Sequence, residues 1–126
     1  MKRILFRTHF GSSIGFGHLV RCLSLAHFFT LRKPEWEILF RVNQPIPPAF
    51  LPPKIAFEIA GDFDQADVQE LFRAKPDLIV VDSYQASEEY LESLGSFAPV
   101  VLFDDNNDLY PSCPASFILN GNIHAP

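Results

Sequence analysis

Short apolar runs alternate with longer amphipathic stretches along most of this chain. Residues 3–7 form an apolar run centred on Ile4-Leu5-Phe6 and predict a strand. Over 17–31, Leu19, Cys22, Leu23 and Ala26 recur at helical spacing, and Phe28, Phe29 and Leu31 extend the apolar surface. Pro34 marks the end of that helix. Residues 36–42 predict a second strand. Pro45, Pro47, Pro48, Pro52 and Pro53 then exclude a helix interior or a central strand, leaving a surface loop with at most one helical turn. A weaker strand over 55–59 precedes an amphipathic helix from Asp64 to Ala74, with Val68, Leu71 and Phe72 expected inward. The run Asp77-Leu78-Ile79-Val80-Val81-Asp82 is continuously apolar in its middle, as expected of a parallel strand covered on both faces. Ser87 suits the N-cap of a helix over 88–97, with Glu88 and Glu89 at its positive end. Strands over 99–103 and 115–119 flank a polar loop, and Asn120-Gly121-Asn122 closes the last.

Strands alternating with helices imply a parallel sheet with right-handed crossovers. The length, 126 residues, suits one domain with a modest core. A composition 48% hydrophobic and 20% charged argues for a folded globule. The net charge of -5 and the lack of a basic stripe speak against nucleic acid. No apolar run is long enough to span a membrane, and the run after Lys2 and Arg3 is too short for a signal peptide, so cytoplasmic residence is the default expectation. Cys22 and Cys113 lack metal-site spacing, and Cys22 reads as a small core residue. The chain stops just after a strand, which suits either a natural end or continuation into a second lobe.

In open α/β sheets, ligands bind beyond the carboxyl ends of the strands. The residues placed there are Arg7, His9 and the loop to His18, then Asp82, Ser83 and Tyr84, then Asp104, Asp105 and Asn106, and finally Asn120 and Asn122. The loop Gly15-Phe16-Gly17-His18 opens the first helix. Val20 stands where a dinucleotide fingerprint needs its third glycine, and no Gly-Lys-Ser/Thr follows, so dinucleotide and P-loop readings are disfavoured. A phosphate or sugar at the helix N-terminus stays open. That N-terminus disfavours a cationic imidazolium, which leaves His18 either a base for water or a cap of the turn. Arg21 lies one turn on and would add to that bias if close. Asp82 and the Asp104-Asp105 pair could ligate a metal or cap the turns that follow. Tyr84 could contact a sugar or be a half-buried loop aromatic. His9 and His27 read as structural, and His124 as part of a frayed end.

The segment Ile14-Gly15-Phe16-Gly17-His18-Leu19-Val20-Arg21-Cys22 resembles the start of the UDP-sugar hydrolases of the pseudaminic acid pathway, which have a Gly-x-Gly-His-x-x-Arg-Cys segment here. Asp82-Ser83-Tyr84 looks like the family's Asp-x-Tyr element. Asp104-Asp105 and Leu119-Asn120-Gly121-Asn122 look like its Asp-Asp and Leu-Asn-x-Asn elements, in the family's order. Ser83 stands where a histidine is common, and residues 106–111 lack the family's usual Arg and His.

The resemblance implies an α/β, Rossmann-like parallel sheet with helices on both faces, like the N-terminal lobe of a GT-B fold. Residues 1–126 would form this single lobe, with the lobe that holds most of the nucleotide lying in a C-terminal part or a partner chain. It implies release of UDP from a UDP-linked diacetamido-trideoxy sugar, without cofactor or metal. His18 would be the catalytic base. Gly15, Gly17, Arg21, Asp82, Tyr84, Asp105, Asn120 and Asn122 would contact or shape the substrate site, with Tyr84, Asp82 and Asp105 orienting the sugar and Arg21 supporting the loop. Alone, the lobe is expected to be inactive or nearly so. The alternatives are a glycosyltransferase lobe of surface-polysaccharide biosynthesis and a non-catalytic binding domain.

Overall fold

The structure, a computed structural model, describes residues 2–103 and the backbone of 117–119. In chain order the elements are β1 (Arg3–Thr8), α1 (Gly17–Arg32), β2 (Glu37–Val42), a 3-10 turn (Pro48–Phe50), β3 (Ile55–Ile59), α2 (Gln65–Arg73), β4 (Leu78–Asp82), α3 (Glu88–Gly95), β5 (Val100–Phe103) and β6 (Phe117–Leu119). The strands form one parallel sheet in the order β3-β2-β1-β4-β5-β6. This is the doubly wound arrangement, in which chain progress reverses at the β1/β4 boundary. It places helices on both faces, making an α/β, Rossmann-like fold.

Strand alternation sorts the core into two layers. Ile4, Phe6, Ile38, Phe40 and Val80 pack under α1 through Leu19, Cys22 and Ala26, with Phe6 stacked on Phe40 at 4.7 Å. Leu5, Ile79 and Val81 face the other way, against Val68 and Leu71 of α2 and Tyr90, Leu91 and Leu94 of α3. Asp64 caps α2 by accepting the Asp67 N–H, and Ser87 caps α3 by accepting the Tyr90 N–H.

Four expectations need correction. Phe72 does not face the core: it is 56% exposed and packs edge-on against Phe97, beside a cavity between α2 and α3. Phe28 and Leu31 lie on the outer side of α1, exposed. The third helix stops at Gly95 rather than running to residue 97. Arg7 does not reach the sheet rim. Alternation puts it beside Leu5, fully buried under α2 and α3.

There Arg7 joins a buried charge cluster. Its Nε donates to Asp67 Oδ2 at 2.8 Å and its Nη2 to the Gly61 carbonyl at 2.7 Å, with Phe63 stacked on the guanidinium. Arg41 donates from Nη2 to Asp67 Oδ1 at 2.8 Å, and the Tyr90 hydroxyl also donates to Asp67. Burial and the neighbouring Asp67 charge push the Tyr90 hydroxyl well above the usual phenol range, so it stays a donor. One carboxylate thus ties β1, β2, α2 and α3 together. Among the described residues, no helix is long and apolar enough to cross a membrane.

Candidate functional site

The site lies at the carboxyl ends of β1 and β4, where the doubly wound topology opens a crevice. Thr8 and Asp82 end these strands in register. Asp82 shares its face with Val80, the face that carries α1. Its side chain therefore points at the first turns of that helix.

Three residues of α1 meet it. His18 Nδ1 lies 2.6 Å from Asp82 Oδ1. Arg21 donates from Nη2 to Oδ1 at 2.7 Å and from Nε to Oδ2, and its guanidinium lies over the Phe103 ring. Cys22 Sγ is 3.9 Å from Oδ2. A carboxylate can only accept, so the hydrogen sits on His18 Nδ1, and in the neutral ring Nε2 keeps its lone pair. Burial, then the nearby Asp82 charge, pushes the Cys22 thiol up, so it remains a thiol.

Asp82 itself departs from the expected role of orienting a sugar. Its side chain is 1% exposed and both oxygens are taken by α1. It acts on the pocket by holding His18 and Arg21.

The loop before α1 is built by glycine. Gly11 and Gly15 exchange backbone hydrogen bonds of 3.1 and 2.6 Å, closing a tight bridge. Gly15 has φ +87°, which an L side chain rarely adopts. Gly17 begins the helix. The N-cap position is Phe16, which supplies no side-chain cap, and no acidic residue lies in the first turn. The turn thus carries backbone N–H donors with no side-chain cap and no acidic residue of its own.

Ile14, Gly17, His18, Arg21 and Tyr84 line a pocket of about 240 Å³ here. The Tyr84 ring is exposed and stands edge-on to His18, centroids 5.1 Å apart. Gly17, His18, Arg21 and Tyr84 are therefore brought together, with Asp82 beneath them. Gly15 shapes the loop rather than lining the pocket. Asp104, Asp105, Asn120 and Asn122 lie outside the described residues. A cavity of about 550 Å³ between α2 and α3 is larger, but its polar lining, including Gln65, Glu92 and Ser93, holds no comparable base with a partner. Among the described residues, no group of three His, Cys, Asp or Glu side chains could hold a metal ion.

Sequence reasoning placed His9 at the rim but gave it no part in the site. His9, read as structural, lies with its ring 5.2 Å from that of His18 and within hydrogen-bond distance of Ser83 Oγ. The available signal was register: His9 and Ser83 each follow a strand end by one residue, and the two ends are paired.

No protein-family model matches the chain, and no curated protein matches it by sequence. Among solved structures, one described as a UGT transferase from Siraitia grosvenorii in complex with UDP is similar, with a TM-score of 0.52 and 17% identity. The likeness covers 79% of this chain and 23% of that one. It is a likeness of fold, to a lobe of the GT-B type.

Proposed function

We propose that this chain is the N-terminal lobe of a nucleotide-sugar hydrolase that releases UDP from a UDP-linked diacetamido-trideoxy sugar. The observation that carries the reading is the 2.6 Å contact between His18 Nδ1 and Asp82 at the wall of a pocket. Asp82 fixes the ring, and Nε2 takes a proton from water as that water attacks the anomeric carbon. The bond from that carbon to the diphosphate oxygen breaks, and UDP leaves with the bonding electrons. The hydrogen bond to Asp82 then supports the imidazolium that forms.

Arg21 keeps the Asp82 carboxylate in place. Tyr84 orients the sugar, and the family resemblance assigns Asp105, Asn120 and Asn122 to contacts with the substrate. The uncapped first turn of α1, reached over Gly15 and Gly17, offers backbone donors to the substrate's anionic part. The scheme uses no cofactor and no metal. A second lobe, in a longer form or a partner chain, would hold most of the nucleotide.

A second reading has one observation in its favour, the fold likeness to a structure described as a UGT transferase. There His18 would activate an acceptor hydroxyl instead of water. Supplying a two-lobed form with UDP-sugar and no acceptor separates the two: full-rate UDP release supports the hydrolase, and release only on adding an acceptor supports the transferase.

A further inference from the structure

His9 is 4% exposed and Ser83 is 3% exposed, and the two are held against each other. Ser83 Oγ accepts the Gln85 backbone N–H at 3.0 Å. Its own hydrogen is then free to go to His9 Nε2, 3.0 Å away. That contact holds the ring's rotation whichever of the two groups donates. Phe63 packs edge-on against the same ring at 5.7 Å. On its remaining side His9 meets His18, the rings tilted 42°.

Among the described residues, the His18 ring meets Asp82, Tyr84 and His9. Asp82 holds one atom of it, Nδ1. A single hydrogen bond leaves the ring free to rock about that contact. Tyr84 stands at the pocket side and His9 at the buried side, and together they define the ring plane. We propose that His9, anchored by Ser83, is a positioning residue for His18: it forms the buried wall that keeps Nδ1 aimed at Asp82. This inference rests on the reading of His18 as the base.

A buried wall beside a base must not itself become charged. Burial first, then the His18 and Arg7 charges, lower the His9 pKa to about 4, with Asp82 opposing. His9 thus stays neutral while its neighbour takes and returns a proton.

The test reads the His18 tautomer by long-range proton–nitrogen NMR on the full chain, without substrate. The parent chain is expected to show His18 protonated at Nδ1 and not Nε2. A parent His18 protonated at Nε2 instead would remove the base reading itself. Ser83→Ala deletes the anchor, and His9→Leu deletes the ring while keeping apolar volume. Each is expected to raise the His18 Nε2–H population about threefold or more, because a ring without its buried wall can turn Nδ1 away from Asp82 and lose the contact that selects Nδ1–H. Circular dichroism confirms which variants fold, and either folded variant decides the matter. A parent-like His18 tautomer in a folded variant overturns the role of His9 while leaving the base reading intact.

Discussion

The contact from His18 to Asp82 determines which ring nitrogen can work. In a two-lobed form, His18→Ala is expected to lower the rate of UDP release by about 10²–10⁴, the usual worth of a positioned general base. Near-normal release would remove His18 from the chemistry. Asp82→Asn should lower kcat by a similar order, about 10²–10⁴, with little change in KM, because the carboxylate is buried and acts through His18. His9 adds a pH effect on stability. Its pKa is 6.5 in the unfolded chain and about 4 when folded, so between these values the unfolded chain binds a proton that the folded one refuses. Stability is then full above pH 6.5 and falls as pH drops towards 4, by about 2–3 kcal/mol. Urea unfolding across this window should show a shallower slope in His9→Leu than in the parent. Gly15→Ala should cost about 1 kcal/mol through backbone strain alone, since nothing crowds the added carbon.

Elements with a strong period were readable from sequence, while partnerships between elements were not. The apolar run of β4 and the helical spacing of α1 each identify their element without reference to the rest of the chain. Phe72 fails because it follows Leu71 by one residue, about 100° round the helix, and finds Phe97 instead of the sheet. Arg7 fails because nothing beside it in sequence announces a partner; Asp67 is 60 residues away. Alternation along β1 and β4 was the unused clue, for it places Arg7 with Leu5 and Asp82 with Val80. The same clusters differ in what they cost to break. Asp67→Ala leaves Arg7 charged and buried without its carboxylate, and should lose about 3–5 kcal/mol in urea unfolding. Asp64→Ala removes only an N-cap and should lose about 1 kcal/mol by the same measurement. Equal losses would mean that the buried cluster is already compensated elsewhere.

On the scale of the whole molecule, the order β3-β2-β1-β4-β5-β6 gathers His18, Arg21, Asp82 and Tyr84 at the carboxyl ends of the two central strands. His18, Arg21 and Tyr84 line the pocket there with Ile14 and Gly17, and Asp82 lies beneath it. If a second lobe holds the nucleotide as proposed, this chain incubated alone with the UDP-sugar should release UDP at least about 10³-fold more slowly than a two-lobed form, because the leaving group would not be oriented. Equal rates would show that one lobe suffices. The His18–Asp82 contact joins residues 64 positions apart, one in the helix after β1 and one at the end of β4. Closing so long a loop is slow relative to forming α1 or α3. During synthesis, the chain therefore carries its imidazole long before the carboxylate that orients it has emerged. The pair becomes a natural timer: its tautomer signal requires β4 docked on β1, so it can report when the centre of the sheet closes.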